Sequence, residues 1–167
     1  MGWLESFLET KKQDPEHSVV IHKIEQALSG YPEKDARYIA CVAVLLARVA
    51  DADSHVSTGE KDRIRSILRG QMKLPEAMAD SVLTITFDNT VFHSIERHLV
   101  IRRLNEIATL EQKQDLIRSL LHLACEDDIS EAESTDIGQL ATALLIPRTE
   151  FLALRSEFRN HLSILKN

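Results

Sequence analysis

The stretch that decides the fold runs from Pro32 to Ala50 and reads PEKDARYIACVAVLLARVA. Its apolar residues recur at three- and four-residue steps, which is the spacing of one face of an α-helix. The positions that carry this pattern are Ile39, Val42, Ala43, Leu46, Val49 and Ala50. Because these side chains are aliphatic, the pattern predicts a helix that is buried in the core.

The composition of the whole chain also favours helices. Its 167 residues suit a single domain, and its five glycines, four prolines and 5% aromatic residues leave little material for the turns of an all-β fold. The formal net charge of -6 would repel a polyanion, and no stretch supplies a segregated basic face. Nucleic acid is therefore not an expected partner.

The two cysteines and the lengths of the apolar runs indicate the cellular location of the protein. Cys41 and Cys125 lie in apolar helical runs and lack the paired spacing of a zinc site or a redox motif, so we interpret them as buried structural thiols. No apolar run reaches the length of a membrane span, and the first residues carry acids where a secretory signal would carry bases. Reduced thiols and these absences favour a cytoplasmic location.

Prolines and polar turns divide the rest of the chain into further helical segments. We expect an N-terminal helical segment, residues 1–30, that packs on a helical domain, residues 31–167. Residues 82–87 are rich in β-branched side chains and could form a strand, but Met78, Val82 and Ile85 have helical spacing. We predict a helix there.

Three short features recur in the same order along the chain. The matching pairs are LARVA with LLHLA, VSTGE with ISEAE, and LP with IP, which begin at Leu46 and Leu120, at Val56 and Ile129, and at Leu74 and Ile146. We predict a duplicated unit of long helix, acidic turn, capped helix, proline and third helix, with repeat 1 at about residues 33–87 and repeat 2 at about residues 109–162. Packing two such units about a pseudo-twofold axis would bury an apolar face of each.

Helix capping explains part of the acidic character of the two turns. Ser57 with Glu60, and Ser130 with Glu133, have the spacing of capping boxes, in which the serine and the glutamate each accept a backbone N–H of the other. Acids before a helix also face the positive end of its dipole.

A divalent cation is the second interpretation of these turns. Capping does not account for four further acids, Asp51, Asp53, Glu126 and Asp127. Carboxylates and turn carbonyls bind hard cations, although Val56 stands where an EF-hand loop requires glycine and so excludes that motif. Glu60 cannot fully serve both as a cap and as a ligand, so the two interpretations compete for it.

Histidines and known motifs give no support for catalysis. His93 and His98 are five residues apart and fall on different sides of a helix, whereas His122 lies one turn before Glu126, a spacing that more often gives a hydrogen bond than a metal site. No nucleophile elbow, phosphate loop or dinucleotide fingerprint is present. We expect no enzymatic activity, and a metal-dependent hydrolase that uses His122 is the least favoured hypothesis.

The N-terminal segment contains a cluster of large apolar residues, Trp3, Leu4, Phe7 and Leu8. Such a cluster either docks on the core of the same domain, which we expect, or is offered to a partner or a membrane surface.

The first acidic turn carries a resemblance to a known family. The sequence ADSHVSTGE at Ala52–Glu60, which follows LLARVA at residues 45–50, resembles the signature of the tellurite-resistance TerB-like family. That signature consists of an alanine-rich helix, Ala-Asp-Gly, a variable residue, an aliphatic residue, Ser, two variable residues and Glu, and it occurs twice. ACEDDISEAE at Ala124–Glu133 is similar to the second copy, and the resemblance covers about residues 33–162.

The resemblance implies a fold and a site. The fold is all-α, a compact bundle of about seven to nine helices made of two pseudo-twofold-related repeats, with no established catalytic activity. The implied site holds a divalent cation (calcium, magnesium or zinc) on Asp53, Glu60, Glu126 and Glu133. The chain departs from the family pattern because Ser54 and Asp127 replace turn glycines and Glu126 replaces an aspartate.

We therefore expect a non-catalytic TerB-like adaptor or binding domain linked to tellurite or general stress response. It would bind a protein partner and could associate with a membrane surface. The alternative is a purely structural protein–protein interaction domain, in which the carboxylates only cap helices.

Overall fold

Helices account for all regular elements in the computed structural model, which describes residues 22, 25–50, 58–70, 72–88, 97–124, 129 and 131–161. The α-helices are α1 (Glu33–Ala50), α2 (Thr58–Gly70), α3 (Glu76–Asp88), α4 (Arg97–Ile107), α5 (Leu110–Ala124), α6 (Glu131–Ala143) and α7 (Arg148–Ser156), and a 3-10 turn (Arg159–His161) follows α7. The predicted all-α class is confirmed, and so is the helix over residues 82–87.

The described chain divides into two units, residues 1–107 and residues 108–167. In the first unit, α1, α2 and α3 contact one another and α4 packs against α1. Every side chain from Tyr38 to Leu46 is buried, so α1 is covered on all sides over this stretch. Since burial of one leucine-sized side chain stabilises a fold by about 1.5–3 kcal/mol, α1 is the main source of hydrophobic stability in this unit.

Ion pairs join α2 to α3 in the first unit. Arg65 donates to Asp80, and Arg69 lies 3.9 Å from Glu76. Arg65 comes before Arg69 in α2, whereas its partner Asp80 comes after Glu76 in α3. The two helices therefore run in opposite directions. Both arginines are partly exposed and at the same time link the two helices.

In the second unit, α5, α6 and α7 contact one another. Leu116, Ile117, Leu120 and Leu121 on α5 are fully buried. Gly138 lets α6 and α7 approach, because a Cβ at this position would lie 3.1 Å from a ring carbon of Phe151.

Helices α1 to α3 of the first unit and α5 to α7 of the second unit follow the same order of elements. Each has a long helix, a 13-residue helix, a proline and then a third helix, as the duplication predicts. Each also has a residue with positive φ directly before the Leu-Pro or Ile-Pro pair, Lys73 at 54° and Leu145 at 63°. The pseudo-twofold relation between the units stays a prediction.

The end of α6 explains the conformation of Leu145. The Leu145 N–H donates to the Thr142 carbonyl and the Ile146 N–H donates to the Ala141 carbonyl, both at 3.0 Å. This pair of bonds is a Schellman motif, which ends a helix through one left-handed residue and usually places glycine there. Ile146 and Ala141 are both buried, in keeping with the apolar contact that accompanies this motif.

Only residue 22 and residues 25–30 of the predicted N-terminal segment are described. Leu28 is buried. Trp3, Leu4, Phe7 and Leu8 lie outside the described residues, so their docking on the core stays a prediction.

Candidate functional site

The helices that follow the two acidic turns begin at corresponding residues. α2 begins at Thr58 and α6 at Glu131, in each case one residue after the predicted capping serine. Glu60 and Glu133 are therefore the third residues of their helices, which is the position of the acid in a capping box. Ser57 and Ser130 themselves lie outside the described residues.

The four predicted cation ligands are described only in part. Asp53 and Glu126 lie outside the described residues, and Glu60 lies in α2 but its side chain is not described. Glu133 is exposed in the first turn of α6. Among the side chains that the structure describes, no three or more His, Cys, Asp or Glu residues form a group able to hold a metal ion. The ligand set stays a prediction.

His122 contacts an aromatic ring on α7's C-terminal side. Its ring lies edge-on to Phe158, with the ring centroids 4.9 Å apart and the planes at 88°. His122 is otherwise exposed. Its predicted partner Glu126 lies outside the described residues, so a shared metal or hydrogen bond between them stays a prediction.

Polar contacts join α5 to residues 148–159, a segment that contains α7 and that we call the α7 segment. The Gln114 amide donates to Glu150 at 2.6 Å, and the Arg118 guanidinium donates to both carboxylate oxygens of Glu157 at 3.0 and 3.3 Å. Arg118 also donates to Asp115 at 2.9 Å. Gln114 contacts Glu150, and the later residue Arg118 contacts the later residue Glu157. Helix α5 and the α7 segment therefore lie side by side with their chains running in the same direction.

These contacts shift the pKa values of Arg118 and Glu157. The hydrogen bond from Arg118, followed by its positive charge, lowers the pKa of Glu157, and His122 contributes in the same direction. The same hydrogen bond raises the pKa of Arg118. Both groups are charged at neutral pH, so the pair serves to hold the helices together rather than to transfer protons.

Cys41 is confirmed as a buried structural thiol. It is completely buried in α1, and burial raises its pKa from 9.0 to about 12 although Arg103 acts in the opposite direction. A thiol with this pKa stays protonated at neutral pH and is a poor nucleophile or metal ligand. Cys125 lies outside the described residues.

Two features of the second unit escape the sequence analysis. Thr109 and Gln112 form a reciprocal capping box at the start of α5, with the Thr109 N–H donating to Gln112 at 2.9 Å and the Gln112 N–H donating to Thr109 at 3.1 Å. The Thr-x-x-Gln spacing was a readable signal for it. The left-handed Leu145 has no such signal, because glycine is the usual residue at that position.

The described helices contain none that is long and apolar enough to cross a membrane.

Comparison with known proteins identifies the family. The family described as Tellurite resistance protein TerB matches residues 39–156, which is more than two thirds of the chain. No curated protein and no solved structure shows a significant match. The matched region begins within α1 and ends with α7, so it contains both acidic turns and the helices on either side of each turn. This chain therefore belongs to the TerB family of tellurite resistance proteins.

Proposed function

We propose that this TerB-family chain is a non-catalytic binding domain that acts as a cytoplasmic adaptor in the response to tellurite or general stress. We further propose that its two acidic turns hold a divalent cation. The family membership supports the first part, since TerB domains are generally non-catalytic. The correspondence of the two turns supports the second.

The observation that carries the cation proposal is the matched start of α2 and α6. Each helix follows an acidic turn and has a glutamate at its third position, Glu60 in one case and Glu133 in the other. Two such turns together offer four carboxylates, with Asp53 and Glu126 as the other two. Oxygen donors suit calcium or magnesium, whereas structural zinc sites rely mainly on sulfur and nitrogen.

Isothermal titration calorimetry with calcium, magnesium and zinc salts tests this proposal. We expect saturable binding of a cation to the wild-type chain and loss of that binding in the double variant Asp53→Asn/Glu133→Gln. The variant removes one charged ligand from each turn and keeps similar shape and volume. The matched control is Asp35→Asn/Glu131→Gln, which neutralises two first-turn acids outside the predicted ligand set and should leave the titration unchanged.

The alternative function predicts a different result. If the carboxylates only cap helices, the wild-type chain shows no saturable cation binding. Replacing Ser57 and Ser130 by alanine then lowers the free energy of unfolding by about 1 kcal/mol for each lost cap. The starts of α2 and α6 one residue after these serines favour this candidate as well. Cation affinity that survives in Asp53→Asn/Glu133→Gln would remove our ligand assignment.

A further inference from the structure

We draw no further inference here: the strongest candidate, the buried Lys113 on the same face of α5 as Leu116, Ile117 and Leu120, carries no proposal because nothing among the described residues shows a ligand or a partner for its ammonium group.

Discussion

Leu145 has a backbone conformation that is unfavourable for leucine. The Schellman motif at the end of α6 requires a left-handed residue, and leucine is strained in that conformation because its Cβ approaches the neighbouring carbonyl oxygen. Its side chain is 71% exposed, so it gains little from burial. The residue therefore carries a conformational cost that the packing of the unit does not offset.

Replacing Leu145 by glycine should stabilise the protein. We expect the free energy of unfolding to rise by about 1 kcal/mol in urea denaturation, because glycine adopts a positive φ without steric strain. The matched control is Leu152→Gly, the same change inside α7, which should lower the free energy of unfolding by about 1 kcal/mol through the poor helix propensity of glycine. A lower stability for Leu145→Gly would show that the leucine side chain makes contacts that outweigh the strain.

At the scale of elements, pairs of helices are held by apolar packing with a few polar contacts at the edges. Arg118 and Glu157 fix the α7 segment beside α5, and Thr109 with Gln112 caps the start of α5. Gly138 sets how closely α7 can approach α6. None of these contacts stabilises the unit as much as its buried leucines do, but together they determine the order and direction in which the helices pack.

The Arg118–Glu157 pair should give the protein an acid-dependent component of stability. The lowered pKa of Glu157 means that the folded state releases this proton more readily than the unfolded state. Its stabilising effect is therefore present above the ordinary pKa of glutamate and is lost as the pH falls through the lowered pKa. Because the Glu157 side chain is 47% exposed, solvent screening limits the effect to less than about 1 kcal/mol.

The variant Arg118→Met tests this component. We expect the pKa of Glu157 to rise toward its ordinary value in a carboxyl-resolved NMR titration, and the difference in stability from wild type to vanish at acidic pH. Arg148→Met is the control, since Arg148 has no ion pair among the described residues and should leave the Glu157 pKa in place. An unchanged Glu157 pKa in Arg118→Met would contradict the assigned cause.

At the scale of the whole molecule, the sequence predicts more of the fold than of the site. The helices follow from periodic apolar residues such as Ile39, Leu46 and Leu120, because burial of one face constrains every turn of a helix. The contact of Arg118 with Glu157 could not be predicted, since it depends on which helix faces which. The acidic turns can be recognised in the sequence, but helix capping and cation binding use the same residue types. Glu60 and Glu133 therefore fit both interpretations.

Native-state hydrogen exchange should rank the helices by burial. We expect the slowest amides in residues 39–46 of α1 and residues 116–121 of α5, because all of their side chains except that of Arg118 are buried and their opening requires the largest disruption of each unit. Amides of α7, whose outer side chains are exposed, should exchange faster. Slower exchange in α7 than in α5 would contradict this ranking and show that α7 is the last element of its unit to open.

The contact between Gly138 and Phe151 has a consequence for sequence divergence in the family. The ring of Phe151 stands where a methyl group at position 138 would need room. A methyl group at position 138 would require the Phe151 ring to shift by a few tenths of an ångström, and a larger side chain would require a smaller residue at 151 or an outward movement of α7. We therefore expect the sizes of the residues at these two positions to be correlated as the sequence diverges, although they lie thirteen positions apart in the chain.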